Sequence, residues 1–175
     1  MKSLAVRAPR SLKGRALQWL AQREHSRAEM QRKLLPHARA LVAQAQAGAE
    51  AVEASEPGEV LARVTEVLDW LEANHYLSQQ RFAESRIHVR AARHGNLRIQ
   101  QELAQHGIAL DAESAQALKS SEFERAREVW GRKFTVPAAD AAGRAKQARF
   151  LISRGFSAET VRRVLRQAGA PLDED

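Results

Sequence analysis

The sequence predicts an all-α protein of several short amphipathic helices, and three observations carry that prediction. Leucine and alanine abound while aromatic residues form only 5% of the chain, which leaves too few strand-favouring side chains for a large sheet. Charged residues make up 28% and are mixed in sign, a pattern of solvated helix faces rather than of a disordered chain. Through most of the 175 residues, apolar side chains recur three and four positions apart, the spacing of one helix face.

The elements follow in order. Residues 1–13 contain Pro9 and scattered charge and read as a loose arm. A first helix is expected from Gly14 to about Arg23, with Ala16, Leu17 and Leu20 on one face. Ser26 then reads as an N-cap, with Glu29 three residues on to complete a capping box and Met30 and Leu34 continuing the stripe. Pro36 predicts a kink or stop near Leu35, because proline lacks the amide a helix needs. The Ala-, Gln- and Glu-rich segment at about 40–58, closed by Pro57-Gly58, reads as an exposed, partly helical or mobile insertion. From Glu59 the helical period returns through Val60, Leu61, Val64, Val67, Leu68 and Leu71, ending near Asn74.

Ser78 is the expected cap of the next helix, which pairs Phe82 with Val89 on one face. Gly95-Asn96 separates it from a helix carrying Ile99 and Leu103, and Gly107-Ile108 looks like a left-handed glycine stop with an apolar contact after it. Asp111 can cap "AESAQALKSS", and "EFERAREVWGRKF" spaces Phe123, Trp130 and Phe134 along one face. After a connection at Pro137–Gly143, the last two helices are "RAKQARFLISRG" and "SAETVRRVLRQAG", split at Gly155-Phe156.

The same helix start recurs. Setting Ser26, Gly95 and Ser157 in register places Met30, Ile99 and Val161 four residues on, and Leu34, Leu103 and Leu165 eight residues on. His25 and Phe156 precede their caps, where each can staple against the residue at plus four. The separations of 69 and 62 residues suit a repeated unit of three short helices.

Composition narrows the chemistry. The absence of cysteine excludes disulfides, thiol catalysis and Cys-ligated zinc, and suits a reducing compartment. No apolar run reaches the roughly 20 residues that span a bilayer, and the N-terminus has no secretory h-region, so the expected location is the cytoplasm. The six histidines (His25, His37, His75, His88, His94 and His106) show no i, i+4 pair, and no phosphate-binding glycine loop or nucleophile elbow occurs. The expectation is a non-enzyme with no metal, no cofactor and no small-molecule substrate.

Charge is the remaining signal. The net charge is +7, but residues 1–40 carry +8, residues 41–80 carry −6, and basic residues return from 81 onward. Arg23, Arg27, Arg32 and Lys33 cluster at the first repeated helix, Arg86, Arg90, Arg93 and Arg98 at the second, and Arg149, Arg154, Arg162, Arg163 and Arg166 at the third. The planar arginine fork suits bidentate contact with phosphates and carboxylates. Three such faces in one register point to an extended surface for a polyanionic or acidic partner.

With these residues in view, the sequence resembles the RecX family of recombination regulators. The likeness rests on "ALQWLAQREHSRAEMQRKL", on "VLDWLEANHYLSQQRFAESRIHVRAARHGNLRIQQELAQHGI", and on "REVWGRKF" followed by "RAKQARFLISRGFSAETVRRVLR". The resemblance implies tandem three-helix repeats, about nine short helices, in a curved, elongated body. The expected organisation is an arm (1–13), a first repeat (14–77) holding the insertion at about 40–58, a second (78–134), a third and shorter one (135–170), and an acidic tail (171–175). It also implies a monomer that binds the RecA filament, contacts DNA weakly or through that filament, and restrains RecA's recombinase, ATPase and coprotease activities. Two alternatives are a helix-turn-helix regulator, with "SAETVRRVLRQAG" in a major groove, and a general helical scaffold. Against the first, that helix offers no Asn or Gln near its start to read adenine.

Overall fold

The computed structural model describes residues 11–46 and 57–168, and these contain nine α-helices and no strand. The helices are α1 (Leu12–Leu20), α2 (Arg27–Gln46), α3 (Pro57–Ala73), α4 (Gln79–Ala91), α5 (Asn96–Gln105), α6 (Ala112–Ser120), α7 (Glu122–Gly131), α8 (Ala141–Ser153) and α9 (Ala158–Ala168). The chain forms two compact units, Met1–Phe82 and Ala83–Asp175, and the division falls within α4. Most of the expected arm, the centre of the expected insertion and the acidic tail lie outside the described residues.

In the first unit, α1 begins two residues before the expected Gly14, because the Ser11 hydroxyl accepts from the Gly14 amide at 3.1 Å and caps it there. Ser26 starts α2 in the same way, accepting from the Glu29 amide at 3.1 Å. The stop expected at Leu35 does not occur: α2 runs through Pro36 to Gln46. Pro36 lies on the exposed side, where the carbonyl it leaves without a partner can face water. On the opposite side Leu34, Ala38 and Val42, four residues apart, are all buried, and their packing against α3 holds the helix together. The exposed character expected from about residue 40 is therefore corrected at Val42, which is a core residue.

From α3, Val60, Val64, Leu68 and Leu71 meet that stripe, and Leu12 and Ala16 of α1 close the core. Leu61, expected with them, is 43% exposed. It lies one residue beyond Val60 and so about 100° round the helix from the stripe. Past Ala73 the chain turns through His75 at φ 59, and the Ser78 hydroxyl accepts from the Arg81 amide to start α4.

Phe82 is buried but Val89 is exposed, which corrects the face expected to hold both. The side that α4 turns inward in its last turns carries Ala83, Ile87 and Ala91, four residues apart, and Val89 lies two residues and so about 200° round the helix from Ile87. The α5 helix buries Ile99 and Leu103 and ends as expected. Gly107, at φ +73, donates to Ala104 at 2.9 Å and Ile108 to Leu103 at 3.0 Å, the paired bonds of a Schellman stop. Asp111 and Asp140 cap α6 and α8, accepting from the Ser114 and Gly143 amides at 2.7 and 2.5 Å.

The core of the second unit joins α7, α8 and α9 through Ala126, Val129, Trp130, Leu151, Phe156, Val161 and Val164. Phe134 closes it, 6.2 Å from the Trp130 ring and edge-on to Phe150 at 5.4 Å. The register holds at all three helix starts: Met30, Ile99 and Val161 are buried, as are Leu34 and Leu103, while Leu165 is partly buried. His25 and Phe156, the residues before the first and third caps, are buried too.

Candidate partner and nucleic-acid interface

A cation serves a partner best when no acid of its own chain neutralises it, and the thirteen cations singled out from the sequence divide on that criterion. Arg23 pairs with Glu29. Arg27 reaches Asp69 at 2.6 Å and Glu72 at 2.5 Å, tying the start of α2 to the end of α3. Arg86 and Arg90 share Glu102, at 3.5 and 2.8 Å, and so tie α4 to α5. Arg27, Arg86 and Arg90 thus hold helices together, and Arg23 ties the turn before α2 to its first residues.

The other nine have no carboxylate partner among the described residues. Arg32 is exposed on α2 and only reaches back to the Ala28 carbonyl. Lys33 lies over the Trp19 ring at 4.3 Å. Arg98 and Arg149 are exposed on α5 and α8. On α9, Val161 and Val164 turn inward, which leaves Arg162, Arg163 and Arg166 in solvent. Of these, Arg163 stacks over Phe123 at 4.0 Å.

The last two, Arg93 and Arg154, line one cleft of about 430 Å³ together with Ala92, Val129, Arg132, Lys133 and Phe150. Arg93 comes from the turn after α4, Arg132 and Lys133 from the end of α7, and Arg154 from the end of α8. Lys133 and Arg154 sit over the Phe150 ring at 5.2 and 5.1 Å. Arg132 donates to the Ala92 carbonyl at 3.0 Å and pairs with Glu128 at 3.1 Å. Arg132 and Lys133 were not among the residues picked out by the repeat, because they follow α7 and not a repeated cap. The quoted "WGRK" is the signal that could have found them.

Two further residues position this region and left no mark in the sequence pattern. Glu122, buried at the start of α7, accepts from the Asn96 amide at 3.0 Å and from the hydroxyls of Ser157 and Thr160 at 2.7 and 2.8 Å. Burial pushes its pKa up, but these hydrogen bonds outweigh burial and hold the carboxyl below its ordinary value of 4.5. Arg125 donates to the carbonyls of His94 and Leu118 at 2.8 and 3.0 Å and to the Asn96 side chain at 2.5 Å. Beside them the pKa of His94 is lowered, by burial first and then by Arg98, Arg154 and Arg90, so the imidazole sits in a positive field. Among the described residues no group of His, Asp or Glu could hold a metal ion, and no helix is long and apolar enough to cross a membrane.

Comparison with known proteins gives a consistent result. Residues 78–112 match the family model described as the second three-helix domain of RecX, and residues 120–165 the model of its third three-helix domain. The regulatory protein RecX of Ralstonia nicotianae is 46% identical over 170 residues, 96% of this chain and 94% of that protein. That of Leptothrix cholodnii is 47% identical over 167 residues, 94% of each chain, and that of Herbaspirillum seropedicae 47% over 171 residues, 97% of each. The crystal structure of RecX from Lactobacillus salivarius superposes with a TM-score of 0.62 over 90% of this chain and 94% of that one. At 17% identity that likeness speaks for the fold.

Proposed function

This chain belongs to the RecX family of regulatory proteins, and from that membership we propose that it acts on the RecA nucleoprotein filament, restraining filament growth, ATP hydrolysis, strand exchange and repressor cleavage. It does so by binding rather than by catalysis, as a cytoplasmic monomer, with DNA contacted weakly or through the filament. The repeats at 14–77, 78–134 and 135–170 each bring a basic helix to successive protomers of a surface that itself repeats.

The observation that carries this reading is the set of nine cations left without an acid, distributed over all three repeated helix starts. Chain folding already uses Arg23, Arg27, Arg86 and Arg90, so these nine are the surface a polyanion meets first. Linked weak contacts gain from effective concentration, so a repeating protein suits a repeating target. The test is a titration of the purified protein into RecA's single-stranded-DNA-dependent ATPase. Progressive inhibition at substoichiometric or near-stoichiometric ratios supports the reading, and an unchanged rate at saturating protein removes it. A helix-turn-helix regulator would instead discriminate between duplex sequences and leave RecA untouched.

A further inference from the structure

The geometry of the cleft between the ends of α4, α7 and α8 points to a binding site for a nucleotide phosphate, formed by Arg93, Lys133 and Arg154 around the Phe150 ring. The assignment rests on the same uncompensated cations as the RecA reading, sharing Arg93 and Arg154 with it, and is tested on the chain without RecA so that the two can fail separately.

Three observations build the case. The first is uncompensated charge: Arg93, Lys133 and Arg154 line one cavity, and none of the three has a carboxylate partner among the described residues. Like charges gathered in a cleft repel one another and focus a positive potential into it. A protein gains no stability from that arrangement, and local conflicts of this kind concentrate where a ligand resolves them.

The second is preorganisation. Lys133 and Arg154 are held over Phe150 at 5.2 and 5.1 Å, and cation–π attraction fixes a cation without cancelling its charge as an acid would. Phe150 is itself fixed edge-on by Phe134 at 5.4 Å. The α7 end is anchored by the bond from Arg132 to the Ala92 carbonyl at 3.0 Å, which brings Lys133 next to the turn that carries Arg93. Lys133 and Arg154 are therefore in place before any ligand arrives, and the exposed Arg93 faces them across the cleft.

The third is the character and size of the cavity, which distinguishes a nucleotide from a bare acid. Forked guanidiniums on two sides suit the tetrahedral oxygens of phosphate. The rest of the lining is apolar at Ala92, Val129 and Phe150, apart from Arg132, which is engaged by the Ala92 carbonyl and Glu128. At about 430 Å³ the cleft falls in the range of roughly 300–1,000 Å³ that small-ligand sites occupy, with space for a sugar or base beside the phosphate. An acidic peptide side chain brings a carboxylate but no flat ring for that wall. The same phosphate chemistry can come from a single-stranded nucleic acid or from a free nucleotide, and the experiment separates these sources.

Binding is measured by fluorescence anisotropy with a short labelled oligothymidylate, and by calorimetry with dTTP, inorganic phosphate and polyglutamate, using the full chain without RecA. The double variant Arg93→Gln/Lys133→Gln changes two exposed side chains and is checked for an unchanged thermal midpoint. Should the pair disturb folding, the single variant Arg93→Gln takes its place. A control of equal charge loss, Lys119→Gln/Lys146→Gln, lies outside the cleft on α6 and α8. The expected result is roughly tenfold or greater weakening of nucleotide binding in the cleft variant, against little change in the control. For the oligonucleotide, the slope of log affinity against log salt should fall by about 1.4, two lost contacts at roughly 0.7 each. Loss confined to the oligonucleotide assigns the site to a strand, and loss of dTTP binding as well admits free nucleotides. Equal binding by the wild type and the cleft variant overturns the site. So does a loss of polyglutamate binding as large as that of nucleotide, which makes the cleft a receptor for acidic protein.

Discussion

Gly95 and Gly155 meet backbone to backbone: a Cβ on Gly95 would lie 2.3 Å from the Gly155 carbonyl oxygen, and one on Gly155 would lie 2.7 Å from the Arg98 amide nitrogen. The start of α5 is hydrogen-bonded across this contact, with the Gly95 amide donating to Arg154 at 2.9 Å and the Leu97 amide to Gly155 at 3.1 Å. The closing carbonyls of α8 thus take the Gly95 and Leu97 amides, whereas at the other two repeated starts a Ser hydroxyl accepts from the amide three residues on, that of Glu29 or Thr160. The close approach leaves no room for a Cβ at residue 95. This is why the middle copy of the register carries glycine where the others carry serine.

Gly95→Ala should therefore cost about 2 kcal/mol or more, because rigid backbone and not a flexible side chain must give way. Gly131→Ala is the control, since nothing lies within 4 Å of its added methyl; it should be neutral or gain up to about 1 kcal/mol. Urea denaturation of both variants tests the contrast, and equal midpoints would show that the α5–α8 contact can relax.

Glu122 makes stability depend on acidity. Its folded pKa lies below the ordinary 4.5, so its contribution is fully present above that value and is lost as pH falls through the folded pKa. Glu122→Gln should lower stability at neutral pH by roughly 1–3 kcal/mol, because hydrogen bonds to a charged acceptor are lost. It should also flatten the fall in stability below pH 4.5. His25 adds an earlier limb. Burial, only partly opposed by Glu29, holds its pKa below 6.5, so the unfolded chain takes up a proton first and stability declines as pH drops from 6.5. Parallel pH–stability curves for wild type and Glu122→Gln would contradict the assignment.

The paired and unpaired arginines should separate experimentally. Arg27→Gln breaks the links from α2 to Asp69 and Glu72 and should cost up to about 1 kcal/mol, a modest loss because the acids are solvated. Arg32→Gln and Arg162→Gln should change stability by less than about 0.5 kcal/mol. Calorimetric midpoints decide this, and a large loss at Arg32 would place it in a structural contact.

Leu68 and Leu61 lie on the same helix and give a further test. Leu68 is 1% exposed and Leu61 43%. Leu68→Ala should cost about 2–5 kcal/mol and leave a cavity, whereas Leu61→Ala should stay within about 1 kcal/mol. Comparable losses would mean that α3 buries a wider face than its packing against α1 and α2 provides.

What could be read from the sequence was whatever depends on a few consecutive residues. The caps at Ser26 and Asp111, the glycine stop at Gly107 and the three-fold register are local devices, and each appears where its chemistry requires. The misses came from tertiary context. Pro36 does not end α2 because Ala38 and Val42 find a partner helix beyond it, and Val89 stays in solvent although Phe82 seven residues earlier is buried. At the candidate site the sequence located the arginines but could not show which of them fold the chain. Arg27 and Arg32 sit five residues apart on one helix with the same composition around them, and only Asp69 and Glu72, some forty residues on, distinguish them. Glu122 and Arg125 belong to no motif or register in the sequence, because their partners come from three other segments.

The central claim is that cations beside all three repeated helix starts act together on one RecA filament. The most direct measurement is the inhibition of single-stranded-DNA-dependent RecA ATPase by Arg32→Gln, Arg93→Gln and Arg162→Gln, singly and combined, at low and at physiological salt. The account predicts a few-fold loss of potency for each single variant and a much larger, non-additive loss for the triple variant. It also predicts that wild-type potency weakens as salt rises, since exposed contacts are screened over roughly 8–10 Å, while the triple variant responds little. A folded triple variant that inhibits with wild-type potency and wild-type salt dependence would contradict the claim.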